Sequence, residues 1–187
     1  MLDRSLPIRL QVKEITINDL FSLAVTQQPT STKIIMQLFN NKISTSEIPF
    51  VTELLNDHLP TVLLTKCYNE TNLPFAVEVR NTELGHLFEH ILLEYLCQLK
   101  IAKGFSQASF SGRTSWNWVK DPMGKFHIRL SCGSKDADIL PLAIEKTIAL
   151  MKILMQYNQT TLLPTKKIYF ANGLKNGKRL RKKSASS

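Results

Sequence analysis

The sequence predicts an α+β fold in which two long amphipathic helices pack on one face of a mainly antiparallel sheet. Apolar residues recur at helical spacing over residues 82–99 and 139–157, which predicts the two helices. Shorter segments alternate apolar and polar residues, as strands with one wet face do. The turn-forming sequence Asp-Pro-Met-Gly at 121–124 separates two of these segments and indicates a hairpin.

The predicted strands lie at residues 8–17, 33–39, 75–80, 108–119 and 125–132. The segment 75–80, FAVEVR, alternates apolar and charged residues, and Gly112 interrupts the strand at 108–119. Residues 26–32 and 65–74 are polar and irregular, which predicts loops.

The predicted helices lie at residues 46–57, 82–99 and 139–157. The first follows the capping residues Ser-Thr-Ser at 44–46 and ends before Pro60. Asn81 or Thr82 caps the second helix, and the Lys-Gly pair at 103–104 ends it. Aspartates at 136 and 138 offer caps for the third helix.

Length and charge predict one globular domain over residues 1–164 and a basic tail over residues 165–187. The net charge of the chain is +9, but residues 166–183 contain eight Lys or Arg and no acid. The rest of the chain is therefore nearly neutral, and it contains no nucleic-acid recognition motif. Only the tail favours a nucleic-acid partner, so this class of function is disfavoured.

The cysteines and the N-terminus predict a cytoplasmic protein. Cys67, Cys97 and Cys132 are widely spaced, odd in number and in no C-x-x-C pattern, which fits reduced thiols. The N-terminal residues contain no apolar signal-peptide core, and no apolar run approaches the roughly 20 residues of a membrane span. We therefore expect no membrane association.

The predicted helix at 82–99 contains His86, Glu89 and His90 in the order H-x-x-E-H, the inverted zinc-hydrolase motif. Positions i, i+3 and i+4 lie on one side of a helix. Two imidazoles at this spacing can bind one metal ion, and the carboxylate between them can reach a water on that ion. The pattern predicts a metal site with Glu89 as the general base.

Two interpretations of this helical face compete. Because the apolar residues lie on the opposite side, the face points away from the main core and is simply solvated in the first interpretation. In the second it binds a cation, because it contains three glutamates and two histidines but no Lys or Arg between residues 82 and 98. Solvated helix faces usually mix both signs of charge.

A metal site needs a third ligand, and the sequence offers several. Glu94 is the nearest candidate, one turn beyond His90, although a third ligand on the same helix strains a tetrahedral geometry. His127 and Cys132 on the predicted hairpin are the alternatives. His127 shares its strand face with Arg129, and Cys132 shares its face with apolar residues, so both also fit purely structural roles.

The stretch GHLFEHILLEYL, followed about twenty residues later by Gly112-Arg113-Thr114, resembles the N-terminal domain of cyanophycin synthetase. That family has a G-H-x-x-E-H-x-x-x-E-L stretch and then a G-[K/R]-T segment on a strand. The preceding SEIPFVTELLNDHLP also resembles the family, so that the similarity covers roughly residues 45–155. The same helix resembles pitrilysin-type peptidases and S-ribosylhomocysteinase more loosely.

The resemblance implies a domain that in some family members is metallopeptidase-like and cuts polymer into primers, and in others mainly binds polymer. Cyanophycin synthetases are cytoplasmic ATP-dependent ligases that build an aspartate chain decorated with arginine. Their ATP-grasp and Mur-ligase-like domains would begin where this chain ends, and the chain has no P-loop. We therefore expect a domain that acts without its own ligase activity, with a separate amide ligase as a possible partner.

With the resemblance included, the sequence favours a zinc-dependent hydrolase of peptide or isopeptide bonds. His86, His90 and Glu94 would bind zinc, and Glu89 would move the proton. Arg113 would polarise the scissile carbonyl or hold a substrate carboxylate, unless it is an exposed sheet arginine. The alternative function is a non-catalytic module that binds a polypeptide, a cyanophycin-like polymer or a partner ligase.

One departure from the family bears on the substrate. The family usually has further charged residues after G-[K/R]-T, whereas here Ser-Trp-Asn-Trp follows at 115–118. Trp116 and Trp118 form either a platform beside the metal cleft or one ordinary half-buried sheet face.

Overall fold

The computed structural model describes residues 12–68 and 72–157. This part of the chain contains a five-stranded sheet, four α-helices and three short 3₁₀ helices. The strands are β1 (Val12–Ile17), β2 (Phe21–Gln27), β3 (Thr32–Leu38), β4 (Gly112–Ser115) and β5 (Lys125–Leu130). The helices are α1 (Val51–His58), α2 (Phe75–Glu78), α3 (Leu84–Ala102) and α4 (Leu140–Gln156), and the 3₁₀ helices span Thr45–Glu47, Pro60–Leu64 and Ser134–Asp136.

The sheet has the strand order β1-β2-β3-β5-β4, and every neighbouring pair is antiparallel. The long helices α3 and α4 pack against it and against each other. The predicted α+β fold, with an antiparallel sheet and two long helices on it, is therefore confirmed. The final strand β4 pairs only with β5, so it forms an edge of the sheet close to α3.

The core between the sheet and α3 is closely packed. The Phe21 ring on β2 meets the Phe88 ring on α3 edge to face, with centroids 6.2 Å apart. A Cβ on Gly85 of α3 would lie only 2.3 Å from Cγ of Phe126 on β5, so no other residue allows this close approach. This contact fixes the first turn of α3 against the centre of the sheet and thereby positions the side chains that follow it.

The N-terminal half contains one strand that the sequence analysis did not predict. β2 was not predicted, although Phe21, Leu23 and Val25 alternate and are buried. Asn18 adopts φ 44°, and its left-handed backbone allows the tight turn that joins β1 to β2. The first predicted strand, at 8–17, is described only from Val12 onward, and the strand predicted at 33–39 is confirmed as β3.

The strand predicted at residues 75–80 is wrong, because this segment forms the short helix α2. Its alternating pattern also satisfies a helical period: Phe75 and Val79 lie four positions apart, and both are fully buried. Pro74 stands at the N-cap, where its fixed φ suits a helix start. The burial of those two side chains in the core favours the helical period over the alternation of a strand.

The hairpin predicted at 108–132 is confirmed in its pairing but is shorter than expected. β4 covers only Gly112–Ser115, and β5 ends at Leu130. Residue Gly124 adopts φ 78° in the turn. The indole N–H of Trp118 donates a hydrogen bond to the carbonyl of Lys125 at 3.2 Å. A side-chain hydrogen bond therefore connects the chain beyond β4 to β5, in place of backbone hydrogen bonds between strands.

The helix limits agree with the sequence prediction at some ends only. The Lys103–Gly104 stop of α3 is confirmed, and Gly104 has φ 91°. The helix predicted at 46–57 instead begins at Val51, after a 3₁₀ turn capped by Ser44. No side chain caps α4, whose helix was predicted to start with an aspartate cap. Asp136 instead accepts a hydrogen bond from Lys100 at 2.7 Å.

The predicted basic tail at 165–187 and the end of the predicted domain at 158–164 lie outside the described residues. Across residues 12–68 and 72–157, the helices are too short or too polar to cross a bilayer.

Candidate metal centre and active-site cleft

The polar face of α3 is buried beneath neighbouring segments. Glu89 is 5% exposed and His90 7% exposed, while His86 is partly exposed. The face therefore is not a solvated helix surface, which was one of the two interpretations of the sequence. It lines a cleft of about 970 Å³ whose other walls are formed by residues 65–68 and by β4.

Cys67 completes a group of three potential metal ligands with His86 and His90. Their donor atoms all lie within 4.8 Å of one another. Sγ of Cys67 is 3.3 Å from Nε2 of His86, and its side chain is 3% exposed. One thiol and two imidazoles at these distances could hold a metal ion. Sequence reasoning missed Cys67, because it lies in a predicted loop with no motif spacing to the histidines.

Hydrogen bonds with threonine hydroxyl groups orient both histidine rings. Thr65 donates its hydroxyl proton to the carbonyl of Val62 at 2.7 Å, so Nδ1 of His90, 3.2 Å away, donates to Thr65 Oγ1. Nδ1 of His86 lies 2.8 Å from Oγ1 of Thr82. Because Nδ1 of His90 donates, Nε2 of that ring is the nitrogen with a lone pair for a metal.

An aromatic contact holds His90 in place. The ring of Phe75, on α2, stacks on the His90 ring with centroids 3.8 Å apart and an interplanar angle of 10°. The same phenyl ring meets His86 edge to face at 6.1 Å. The segment that was predicted as a strand therefore supports both imidazoles when it folds as a helix.

Burial keeps both imidazoles neutral. It lowers the pKa of His90 to about 3, with a smaller contribution from the neighbouring His86. Burial also lowers the pKa of His86, which the charges of Glu78 and Glu83 partly offset. A neutral imidazole is the form that binds a metal, so protons do not compete for these ligands at neutral pH.

The carboxyl group of Glu89 is enclosed by β4. The Thr114 hydroxyl donates to Oε2 of Glu89, and a Cβ on Gly112 would lie 2.5 Å from Oε1. Burial raises the pKa of Glu89 to about 7, and the Thr114 hydrogen bond lowers it by less. The Gly-Arg-Thr segment thus has a physical role: glycine leaves space for the carboxyl group, and threonine holds it.

The remaining cleft wall combines acidic, basic and aromatic side chains. Glu78, Glu83 and Glu94 line it together with Arg113 and Trp116. Trp116 is 38% exposed, and its ring also packs on Phe126 of the core, so it fits both interpretations of the sequence.

The other ligand candidates make contacts of their own outside the Cys-His-His group. Glu94 lines the same cleft, but its Oε1 accepts hydrogen bonds from Thr61 and Gln98 at 2.6 and 3.0 Å. Nε2 of His127 lies 2.9 Å from Asp121 on the hairpin. Cys132 is fully buried, and burial raises its pKa to about 11. The assignment of Glu94 as a zinc ligand stays a prediction.

Comparison with known protein families supports the resemblance found in the sequence. Residues 33–121 match the family described as the cyanophycin synthase-like N-terminal domain. The match covers slightly less than half of the chain. It contains all of β3 except its first residue, together with α1, α2, α3, β4 and every residue of the Cys-His-His group. No curated protein matches the chain with significant similarity.

Proposed function

We propose that this protein is a zinc-dependent hydrolase of peptide or isopeptide bonds. The observation that carries the proposal is the placement of Cys67, His86 and His90 within 4.8 Å of one another in the cleft that also contains Glu89. The match to the cyanophycin synthase-like N-terminal domain supports the proposal, because the sequence resemblance implies that some members of this family are metallopeptidase-like.

The donor set fits zinc. Zinc prefers thiolate and imidazole ligands at about 2.3 and 2.0–2.1 Å in a tetrahedral arrangement, so two such donors lie about 3.5 Å apart. The 3.3 Å separation between Cys67 Sγ and His86 Nε2 is close to that value. Three protein ligands leave one coordination position open, as catalytic zinc sites do. Zinc in such a site supplies Lewis acidity and a water of lowered pKa.

Glu89 would carry the proton during hydrolysis. Its carboxylate takes a proton from the attacking water and gives it to the departing amine. Because Thr114 holds Oε2, the proton would be exchanged at Oε1. The pKa of about 7 matches this task, since both protonation states of Glu89 are populated near neutral pH.

The cleft wall suggests the kind of substrate. Glu78, Glu83 and Glu94 favour cationic side chains, and an arginine-bearing aspartate polymer would offer them. Arg113 is exposed at the rim, where it would hold a substrate carboxylate. The exposed face of Trp116 would stack on an arginine side chain. A separate amide ligase and a cytoplasmic location, where thiols stay reduced, complete the proposal.

The second candidate is a module that binds the same polymer or a partner ligase without cutting it. It is favoured by the acidic wall and Trp116, because neither feature needs a metal ion to bind a cationic polypeptide.

Metal analysis separates the two functions. We expect protein purified without added metal to contain about one zinc ion per chain. Glu89→Gln should keep this zinc but lose hydrolysis of the arginine-bearing polymer, whereas Glu53→Gln, exposed on α1, should behave as wild type. Folded protein without metal, or zinc-loaded protein that binds the polymer and leaves it intact, would instead favour the binding module.

A further inference from the structure

A second concave surface lies on the side of the sheet that faces away from α3. It is a groove of about 490 Å³ lined by residues of β2, β3, β4 and β5. The side chains that project into it come from alternate positions of these strands, while the residues between those positions, such as Ile34 and Ile128, are buried in the core.

Three cations stand side by side across this groove. Lys33 on β3 pairs directly with Arg129 on β5, and Arg129 pairs directly with Arg113 on β4. All three side chains are exposed. Neighbouring strands are about 4.8 Å apart, so like charges in direct register repel one another. A row of this kind destabilises the sheet unless an anion neutralises it.

The described part of the chain offers the row no counter-charge. Its ion pairs involve other side chains, and no Asp or Glu lines the groove. Glu14 projects from the same side of β1, but strand β2 separates it from Lys33. The carboxylate of Asp121 is already held by Lys125 and His127.

We propose that this groove binds an acidic polypeptide segment in an extended conformation. Arg113 and Arg129 offer planar forks that match carboxylates, and Thr26 adds a hydroxyl group on the same surface. Ala24 and Ile35 supply an apolar floor for the chain of such a peptide. Among the described residues, His127 is the only aromatic side chain that lines the groove, and Asp121 holds its ring, so the groove lacks the row of stacking rings by which single-stranded nucleic acids are bound.

Arg113 lines both the groove and the metal cleft, so the test of the groove changes only Lys33 and Arg129. Lys33 and Arg129 line the groove but not the metal cleft, so their replacement leaves the Cys-His-His group and Glu89 in place. The experiment therefore tests the groove even if the cleft has no catalytic activity.

The test measures binding of a fluorescent peptide of about ten residues that alternates Asp and Ser, because alternate residues of an extended chain project on one side. We expect the double variant Lys33→Gln/Arg129→Gln to bind it about tenfold more weakly than wild type. The control Lys42→Gln/Lys135→Gln removes two exposed cations outside the groove and should bind within about twofold of wild type. Binding should also weaken as salt is raised to about 0.5 M.

Three results would overturn the proposal. They are equal binding by wild type and the groove variant, equal losses in the groove variant and the control, and preference for oligothymidylate over the acidic peptide. Unfolding midpoints separate binding from folding: in low salt, the groove variant should unfold at a temperature no lower than wild type, because two mutually repelling charges have been removed.

Discussion

Sγ of Cys67 lies 3.3 Å from Nε2 of His86, although 19 positions separate the two residues in the sequence. The contact joins a segment without regular structure to the first turn of α3. It converts a pair of helical histidines into a group of three potential metal ligands.

Cys67→Ser should weaken zinc binding by about tenfold or more, because a hydroxyl replaces a thiolate ligand. Competition with a chromogenic chelator measures the affinity. Cys97→Ser is the matched control, since Cys97 is a half-buried thiol on α3 outside the ligand group. If Glu94→Gln weakens zinc binding and Cys67→Ser does not, Glu94 is the third ligand and Cys67 is not.

Gly112→Ala should destabilise the protein by about 1–3 kcal/mol, because the added Cβ would lie 2.5 Å from Oε1 of Glu89. Displacement of this carboxyl group should also lower the proposed hydrolysis. Denaturant unfolding measures the first effect and polymer cleavage the second. Ser111→Ala changes the neighbouring exposed side chain and should do neither; equal effects from both variants would refute the packing argument.

Glu89 should make the metal-free protein less stable as pH rises. Its pKa in the folded chain, about 7, lies above its ordinary value near 4.5, so the folded state holds the proton more tightly than the unfolded state does. The stability contributed by the protonated carboxyl group is present below about pH 4.5 and is lost by about pH 7, a change of about 3 kcal/mol.

Glu89→Gln should therefore gain stability relative to wild type between these two pH values, as measured by urea unfolding in the presence of a chelator. His90→Gln should change the pH dependence of stability in the opposite direction, at acidic pH. The lowered pKa of His90, about 3, costs the wild type stability as pH falls from about 6.5 to 3, and the variant loses that dependence. Parallel pH profiles for wild type and Glu89→Gln would contradict the assignment.

Lys100→Met should destabilise the protein by about 3 kcal/mol, because it leaves the carboxylate of Asp136 buried and unpaired. Among the described residues, Oδ2 of Asp136 already has no hydrogen-bond partner. Lys103→Met removes a pair whose two side chains are 43% and 60% exposed, so it should cost less than about 1 kcal/mol. Thermal unfolding compares the two, and similar losses would show that burial is not the deciding factor.

Hydrophobic periodicity predicted the secondary-structure elements whose pattern fits only one type of structure. The residues of α3 and α4 repeat at helical spacing over four or more turns, and no strand pattern fits them. The turn at 121–124 is followed by a strand whose buried residues alternate, so the hairpin was also predicted. The prediction failed for a short segment because its pattern fits more than one period. The segment FAVEVR fits both the helical and the strand period, and only the burial of Phe75 and Val79 selects the helix.

The site was predictable to the extent that it lies on one helix. The spacing of His86, Glu89 and His90 follows from the helical repeat, so the sequence predicts that they share a side. The enclosure of Glu89 by Gly112 and Thr114 depends on how β4 packs against α3, which no local pattern encodes.

The sequence by itself determined the fold class, the helix that carries the histidines and the order of the motif residues, because each depends on neighbours within a few positions. Only the tertiary structure decided that the polar face of α3 is buried and that Cys67 stands beside His86. The physical reason is the distance along the chain: Cys67 is brought to α3 by the packing of the 3₁₀ helix Pro60–Leu64 and of α2 beside that helix, and this packing depends on the whole core.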